Sequence, residues 1–505
     1  MSDLLSHDEY LTLAETMRFP SAAFINGAFQ AGNGAEMIST NPATGAELAR
    51  ITMTDAEGVD LAVTKAREAF DQGGWSRCHP AERKEIMIRL CKLMTRNRHE
   101  LAVMESLDSG KPIQDCATID LPETINCIKW HAEAIDKIYD HTAPVGDDAI
   151  AMIIRQPVGV VGCVLPWNFP LLMLAWKIGP ALAAGNSVII KPAEETSLTA
   201  LRVAELALEA GIPRGVFQVL PGDGPTTGQA LGLHHGVDMI SFTGSTETGR
   251  HFLRYSAESN LKKITLECGG KNPSLVLSDA EHMDKVAEHI AMGAFWNMGQ
   301  NCSAISRVIV DESRKDELIE ALMFQAGHFR QGDPLDPANR LGVLVSEAHY
   351  TKVKSYLDLA SKDGMTPLMG SVSADDRTIT PTIFGDVSHD HVLAREEIFG
   401  PVMGIVVARS TDEAVAMAND TSYGLAASIF SASIGPALRS ARAINAGTVT
   451  VNCYGEGDIT TPFGGFRESG FGGRDNGLAA HDQFTETKTI WVDLNDYRDE
   501  DLIDG

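Results

Sequence analysis

The sequence predicts an α/β protein in which parallel strands alternate with helices. Two stretches carry this prediction. Between about 157 and 266, short β-branched runs alternate with helix-length apolar segments, and a second alternation extends from about 278 to 452. Strands that are apolar along their whole length fit a parallel sheet covered by helices on both faces. Ligands bind such sheets at the carboxyl ends of strands, so we expect site residues in the turns that follow the strands.

The first alternating stretch predicts five strands with helices between them. Gly211 and Pro213 mark the end of the second helix. The predicted strands are 158–164, 187–190, 216–220, 237–242 and 263–266, and the predicted helices are 171–184 and 196–210. The turns to inspect for ligand binding are 165–170, 191–195, 221–225 and 243–249.

The second stretch opens with Ser278–Glu281, which has the pattern of a capping box. Apolar residues at helical spacing from Met283 to Met298 predict a helix that ends just before Cys302. A strand at 307–310 follows, and another crossover runs from about 400 to 452.

The two ends of the chain differ from this pattern. The first 135 residues are mostly helical in pattern, after a hairpin-like stretch around Phe24–Phe29. The tail Thr487–Leu494 predicts one isolated strand, and a lone strand is marginal in water. We therefore expect it to pair with a partner subunit.

Composition limits the possible functions. The chain has 505 residues, of which 44% are hydrophobic and 22% charged, with a formal charge of −26. At about 150 residues per domain, this length predicts two to four domains, interleaved because no low-complexity linker separates them. Such acidity argues against nucleic-acid binding and against docking on anionic lipid, since both need basic surfaces.

The cysteines and the N-terminal residues predict a cytoplasmic protein. The eight cysteines are too sparse for a disulfide scaffold and form no Cys-x-x-Cys pair. The first twenty residues lack the basic and apolar regions of a signal peptide. No residue between Arg155 and Lys177 is charged, but Pro166 and Pro170 interrupt this stretch, which favours a strand, a loop and a buried helix over a membrane span.

Two residues have the character of catalytic groups, each with an ordinary structural alternative. Cys302 occupies a Gly-containing turn with small and polar neighbours, although most cysteines are merely small buried residues. Glu267 ends a strand beside two glycines, where it could serve as a general base or as an ordinary paired turn residue. Cys268 is a rival nucleophile, but the neighbouring carboxylate of Glu267 would raise its pKa.

Further residues suggest ligand binding, again with alternatives. Asn168 sits between two aromatic residues, where its amide could brace the loop or donate to an oxyanion. The stretch Phe242–Gly249 follows a strand and opens a helix, which fits phosphate binding or a simple N-cap. Lys191 and Glu194 could bind ribose hydroxyls or pair with each other. Glu396 and Glu397 are adjacent carboxylates before an aromatic turn.

Taken together, these motifs resemble the NAD(P)-dependent aldehyde dehydrogenase superfamily. Each motif is weak alone, but all occur in the expected order over nearly the whole chain. They are Pro166–Pro170, Lys191–Glu194, Phe242–Thr246, Leu266–Lys271, Gly299–Cys302, Glu396–Pro401 and Pro462–Phe466. The resemblance implies a Rossmann-type parallel-sheet cofactor domain, a second α/β catalytic domain and a small β oligomerisation element. The implied cofactor domain is made of 1–135 and 156–266, and the implied catalytic domain is 267–467. The implied oligomerisation element is made of 136–155 and 484–497.

The resemblance implies a role for each site residue. Cys302 would attack the aldehyde, Asn168 and the Cys302 backbone N–H would hold the oxyanion, and Glu267 would activate the water that hydrolyses a thioester. No metal is implied. The implied cofactor contacts are Trp167, Gly244 and Ser245 near the pyrophosphate, Lys191 and Glu194 at the adenine ribose, and Glu397 with Phe399 at the nicotinamide riboside.

Cofactor choice follows from one of these residues. A carboxylate at Glu194 would repel a 2′-phosphate, so NAD is favoured over NADP. Lys191 nearby leaves NADP possible.

The sequence departs from the usual family pattern at Cys268, and in Ser469–Asp475, which has one residue more and ends in Asp instead of Glu.

The substrate prediction rests on two further segments. Lys129–Tyr139 and Asn452–Pro462 resemble those of bacterial γ-glutamyl-γ-aminobutyraldehyde and 4-guanidinobutyraldehyde dehydrogenases, which act in polyamine and arginine breakdown. Two acids, Glu456 and Asp458, could meet a cationic end of the substrate or could simply face water. The predicted tunnel residues are Phe169, Trp176, Trp296, Glu456, Asp458 and Phe463.

Three other functions remain open at this stage. One is a broad-range aliphatic or aromatic aldehyde dehydrogenase, one a cofactor-independent thiol esterase using Cys302, and one a non-catalytic relative that keeps the fold. The partner predicted for the enzyme is a small aldehyde, and the expected assembly is a homodimer or homotetramer.

Overall fold

A computed structural model of the chain describes residues 4–370, 378–455 and 457–495. The α-helices are α1 His7–Thr16, α2 Ala56–Gln72, α3 Pro80–Arg96, α4 Arg98–Ser109, α5 Ile113–Asp115, α6 Leu121–Ala134, α7 Pro170–Ala184, α8 Leu198–Ala210, α9 Gln229–Leu233, α10 Thr246–Glu258, α11 Met283–Phe295, α12 Lys315–Ala326, α13 Glu347–Lys362, α14 Val392–Arg395, α15 Thr411–Asn419, α16 Ile434–Ala443 and α17 Gly477–Gln483.

The strands are β1 Ala23–Ile25, β2 Ala28–Gln30, β3 Glu36–Thr40, β4 Glu47–Thr52, β5 His141–Ala143, β6 Ala149–Pro157, β7 Val160–Val164, β8 Ser187–Lys191, β9 Phe217–Val219, β10 Met239–Thr243, β11 Lys263–Glu267, β12 Asn272–Val276, β13 Ile305–Asp311, β14 Thr382–Phe384, β15 Val402–Ala408, β16 Ala426–Phe430, β17 Thr448–Val451, β18 Gly470–Phe471 and β19 Thr485–Asp493.

The first alternating stretch supplies five strands of an eight-stranded sheet, whose order is β18-β11-β10-β7-β8-β9-β1-β2. Its five central strands, β11 to β9 in that order, are parallel, as the sequence predicts. Strands β7, β8, β9 and β10 are buried at every position. Helix α7, buried along its whole length, packs in the same core and starts with a proline at its first turn.

The second stretch builds a six-stranded sheet in the order β14-β15-β13-β12-β16-β17, and every neighbouring pair in it is parallel. Helix α11 packs against this sheet in a separate hydrophobic core. The predicted α/β fold is therefore confirmed: the second sheet is parallel throughout, and the first is parallel in its five strands β11 to β9 but has antiparallel strands at both ends. The division of the chain into cofactor, catalytic and oligomerisation units stays a prediction.

The predicted lone strand at the C-terminus is wrong. Strand β19 pairs antiparallel with β6 of the same chain, from Thr485 opposite Pro157 to Asp493 opposite Ala149. Strand β5 completes this three-stranded sheet on the other side of β6. The partner of β19 is more than 300 residues away in sequence, so local patterns do not reveal the pairing.

The helix before Cys302 begins at Met283, as its apolar spacing predicts, but the predicted capping box and the predicted helix end are wrong. Helix α11 begins at Met283 after His282, whose backbone is left-handed and whose side chain makes no cap, so Ser278–Glu281 is not a capping box. The helix ends at Phe295, because Asn297 and Met298 have φ values of 50° and 55°. The amide of Asn297 is recruited instead into the turn that precedes Cys302.

The uncharged stretch after Arg155 forms β7, a loop and the start of α7, as expected. Among the described residues, no helix combines the length and apolar character needed to cross a bilayer.

Candidate active site

The loop that joins β7 to α7 presents Asn168. This residue is buried, and its backbone carbonyl accepts a hydrogen bond from Asn297 Nδ2 at 2.9 Å. Its own Nδ2 donates to the Gln300 carbonyl at 3.0 Å. Because an amide nitrogen carries two hydrogens, the second one remains for another acceptor.

Cys302 lies in the turn between α11 and β13 and is half-buried. Its carbonyl accepts from Asn272 Nδ2 at 2.7 Å. Asn297 Nδ2 also donates to the Gln300 carbonyl, at 3.1 Å. The loop of Asn168 and the turn of Cys302 are thus tied together through Asn297 and Gln300.

Glu267 is the last residue of β11 and is buried. Among the described residues, its Oε1 has no hydrogen-bond partner. Burial raises the pKa of this carboxyl well above its ordinary value, and the negative charge of Asp475 raises it further, whereas Lys177 and Arg474 lower it. The buried ion pair between Lys177 Nζ and Asp475 Oδ2, 2.8 Å apart, therefore stands beside the candidate base.

These three residues line one cavity. The lining also contains five of the predicted cofactor contacts, namely Trp167, Gly244, Ser245, Glu397 and Phe399. The fold thus brings together residues that lie up to 232 positions apart in the sequence.

Cys268 lines the same cavity but differs from Cys302 in its surroundings. It is buried, and desolvation together with the adjacent Glu267 raises the pKa of its thiol to about 12. Because the thiolate is the nucleophilic form, Cys268 is a poor nucleophile near neutral pH.

Aromatic rings form one wall of this cavity. The Trp167 ring packs against His349 at 4.8 Å and Phe399 at 5.3 Å between centroids. Burial lowers the pKa of His349 to about 4, so its ring is neutral and Nε2–H donates to the Phe399 carbonyl at 2.7 Å. This bond holds Phe399, whose φ is +62°.

Another part of the lining fits a nucleotide cofactor. Ser245 caps α10 by accepting from the Thr248 N–H, so the N-terminus of this helix points its N–H groups at the cavity edge, as anion binding requires. Thr243 Oγ1 is buried without a hydrogen-bond partner among the described residues. A Cβ on Gly269 would lie 2.1 Å from a carboxylate oxygen of Glu397, so glycine is needed for this carboxylate to approach the backbone.

Lys191 and Glu194 lie elsewhere. They form an ion pair of 3.1 Å at the end of β8 and are not part of the described lining of the first cavity. The pairing alternative is therefore realised in this structure, and a contact with an adenine ribose stays a prediction.

A second cavity is lined by three of the predicted tunnel residues, Trp176, Trp296 and Asp458. The other described tunnel candidates stand behind the tryptophans: Phe169 packs on Trp296 at 5.1 Å and Phe463 on Trp176 at 5.2 Å. Both phenylalanines are buried and absent from the described lining. Glu456 lies outside the described residues.

Comparison with known proteins decides the family. The profile described as the aldehyde dehydrogenase family matches residues 29–490. An aminoacetaldehyde dehydrogenase from Pseudomonas aeruginosa is 58% identical over 98% of this chain and 100% of its own length. The chain belongs to the aldehyde dehydrogenase family.

Solved structures of aldehyde dehydrogenases have the same fold. A γ-glutamyl-γ-aminobutyraldehyde dehydrogenase from Burkholderia cenocepacia is 43% identical, with a TM-score of 0.95 over 97% of this chain and 100% of that one. An indole-3-acetaldehyde dehydrogenase complexed with NAD+ is 43% identical, with a TM-score of 0.96 over 97% of this chain and 100% of that one. The family uses NAD(P), and this chain is an NAD(P)-dependent aldehyde dehydrogenase.

Several residues of this aldehyde dehydrogenase are absent from the sequence predictions. His349 and Lys352 line the first cavity from α13, and Glu123 and Tyr454 line the second. His349 and Lys352 lie on a helix without a recognisable motif. Glu123, in the first turn of α6, has the ordinary place of an acid at a helix start, so no local signal distinguishes it.

Proposed function

We propose that this enzyme oxidises an aldehyde to a carboxylic acid through a thioester on Cys302. The observation that carries the proposal is the shared cavity of Asn168, Glu267 and Cys302, which also contains five of the seven residues expected to bind the cofactor. A nucleophile, an amide donor and a buried carboxylate are the groups that acyl transfer through a cysteine needs.

In the proposed reaction, the Cys302 sulfur bonds to the aldehyde carbon to give a thiohemiacetal. The free N–H of the Asn168 amide stabilises the developing oxyanion, while its other hydrogen holds the Gln300 carbonyl. When bound, the nicotinamide cofactor supplies the acceptor for the hydride that leaves this carbon. Glu267 then takes a proton from the water that attacks the thioester, and the carboxylic acid leaves as the thiol is restored.

The role of Cys302 is tested by Cys302→Ala. We expect NADH formation to fall by at least about a thousandfold, because no other side chain replaces a lost nucleophile. The dissociation constant for NAD, measured by fluorescence titration, should stay within about twofold. A Cys268→Ala variant is the matched control and should keep turnover. Retained turnover in Cys302→Ala would move the nucleophile to another residue.

The physiological substrate is proposed to be an ω-amino- or γ-glutamylamino-aldehyde of polyamine or arginine catabolism. Asp458 and Glu123 place two carboxylates on the wall of the second cavity, beside an aromatic lining. Hydrogen bonds from Thr460 lower the pKa of Asp458, which keeps it charged. The relatives named for aminoacetaldehyde and γ-glutamyl-γ-aminobutyraldehyde support this choice over a broad-range aldehyde dehydrogenase.

The charge argument is tested with Asp458→Asn and Glu123→Gln. We expect each to raise KM for aminoacetaldehyde about fivefold, as loss of about 1 kcal/mol of exposed charge pairing would do, and to leave KM for propanal unchanged. Glu133→Gln, an exposed acid on the same helix α6, is the control. Equal changes for both aldehydes would reject the charge argument and favour the broad-range enzyme.

NAD is the proposed cofactor, with NADP used less well. The Lys191 ion pair holds Glu194 at the end of β8, where its carboxylate would repel a 2′-phosphate. The comparison of kcat/KM with NAD and NADP tests this preference. NADH formation from propanal also separates the proposed enzyme from a cofactor-independent esterase. Such an esterase would hydrolyse 4-nitrophenyl acetate but form no NADH from propanal.

The enzyme is proposed to assemble as a homodimer or homotetramer through the sheet β19-β6-β5. Ile150, Trp491 and Leu494 expose apolar side chains on or next to this sheet. Strand β19 lies at its edge, where another chain can dock.

A further inference from the structure

One hydroxyl group joins the two residues that flank Cys302. Asn301 Nδ2 donates to the Tyr454 hydroxyl at 2.8 Å, and Ser303 Oγ lies 3.1 Å from the same oxygen. Asn301 is 3% exposed and Ser303 is 1% exposed. Because both polar groups are buried, water cannot readily replace the tyrosine as their partner.

The Asn301 side chain spans the nucleophile residue. Its Oδ1 accepts from the Ser303 N–H at 3.1 Å, and its carbonyl accepts from the Ala304 N–H at 3.0 Å. The orientation of the amide that closes this turn is therefore set by the bond from Nδ2 to Tyr454. A rotation of Asn301 would move the peptide groups on both sides of Cys302.

Tyr454 is itself held in a fixed position. Its ring packs against helix α11 at Gly293, where a Cβ would lie 2.7 Å from Tyr454 Cδ2, so only glycine leaves room for the ring. Its backbone N–H donates to His289 Nδ1 at 3.4 Å. The same residue lines the second cavity together with Asp458. Tyr454 thus lines the second cavity, which is the proposed substrate tunnel, and also bonds to the turn of Cys302.

We propose that Tyr454 is a positioning residue for Cys302. Its hydroxyl fixes the turn Asn301–Ser303, so that the thiol and the adjacent backbone N–H are presented to the aldehyde in one geometry. The inference rests on the proposed function, in which Cys302 is the nucleophile. A displacement of about 1 Å at a reacting group can cost as much as about 100-fold in rate, so a loosened turn should slow the attack.

The test is Tyr454→Phe, which removes the hydroxyl and keeps the ring in the cavity wall. With enzyme in excess over propanal, we expect single-turnover NADH formation to slow by about tenfold. The dissociation constant for NAD, KM for propanal and the rate of thioester hydrolysis should stay within about twofold. Tyr255→Phe is the matched control, a half-buried tyrosine on α10 that lies outside both cavities.

A second variant, Ser303→Ala, removes one of the two partners of the hydroxyl, the Ser303 Oγ, and leaves the tyrosine and its bond from Asn301 in place. It should also slow single-turnover NADH formation, and the double variant should be less than additive, because both changes break the same bond. If Tyr454→Phe fails to fold, this variant decides the question alone.

Two results would overturn the inference. One is a wild-type single-turnover rate in folded Tyr454→Phe, or in Ser303→Ala if the tyrosine variant does not fold. The other is an equal loss in NAD binding, acylation and hydrolysis, which indicates general structural damage. If either result is found and Cys302→Ala is inactive, only the role of Tyr454 is rejected and Cys302 stays the proposed nucleophile. An active Cys302→Ala would contradict the proposed function itself.

Discussion

The Glu267 carboxyl combines a buried position with a proposed role, as a general base, that needs its charged form. A general base accepts a proton only when it is ionised, and burial raises the pKa of Glu267. Thioester hydrolysis should therefore rise as pH increases through this raised pKa and fall as pH decreases through it.

Asp475→Asn tests the electrostatic part of this environment. Asp475 raises the pKa of Glu267, so its removal should lower that pKa and move the acidic limb of the hydrolysis rate to lower pH. The loss of the ion pair also leaves the Lys177 charge free to act on Glu267 in the same direction. The measurement is the pH profile of thioester hydrolysis by stopped flow.

The control for this profile is Asp482→Asn, an exposed aspartate that pairs with Arg155. An unchanged limb in Asp475→Asn, or a limb moved to higher pH, would show that Asp475 does not set the pKa of Glu267.

At the scale of the residue, the sequence predicts best those side chains that lie at the ends of strands or helices. Asn168, Glu267 and Cys302 are found because each stands in a short motif at an element end. Tyr454, Glu123 and His349 contribute from a long loop and from two helices, where the nearest neighbours in sequence carry no signal of the contact. Their place in the site depends on packing between elements more than 100 residues apart.

The turn between α11 and β13 is the element on which the site depends most. A pattern of apolar residues extends the predicted helix to Met298, but the chain leaves the helix at Phe295. The bonds of Asn297 to the Asn168 and Gln300 carbonyls stabilise this departure. The spacing of apolar residues carries no information about side-chain hydrogen bonds of this kind, so the predicted helix end is wrong.

Asn297→Gly tests this element. Glycine tolerates the left-handed backbone, so the variant loses the two hydrogen bonds without adding strain. We expect the free energy of unfolding in urea to fall by about 1–3 kcal/mol and single-turnover NADH formation to slow.

The matched control is Asn26→Gly, because Asn26 has the same φ of 50° in the distant hairpin between β1 and β2. If Asn297→Gly and Asn26→Gly have equal effects on both measurements, the amide of Asn297 does not tie the two loops together.

At the scale of the whole molecule, the parallel strands of both sheets follow from the sequence, whereas the antiparallel pairings made by the C-terminal strands do not. Strand β18, at residues 470–471, returns to the first sheet beside β11, and β19 returns to β6. Both pairings join segments that are far apart in the chain, so local sequence patterns do not identify which strands pair. The charge of −26 argues against nucleic-acid and anionic-lipid partners but does not predict either pairing.

The proposed assembly is tested with Trp491→Lys on β19. Trp491 is 62% exposed in the single chain, so a lysine there should leave the fold intact and weaken an apolar interface. Light scattering after size-exclusion chromatography should show an oligomer for the wild type and a smaller species for the variant.

Phe324→Lys is the control, since Phe324 is 68% exposed on α12, outside the three-stranded sheet. A wild-type protein that elutes as a monomer, or a Trp491→Lys variant with unchanged mass, would reject this interface.

The thioester on Cys302 is the central claim, and trapping it is the most direct test. Glu267→Gln mixed with propanal and NAD should form one equivalent of NADH rapidly and then turn over slowly. Mass spectrometry of the quenched and digested enzyme should find a propionyl group on the peptide that contains Cys302. A burst without this adduct, or an adduct on Cys268 instead, would contradict the account.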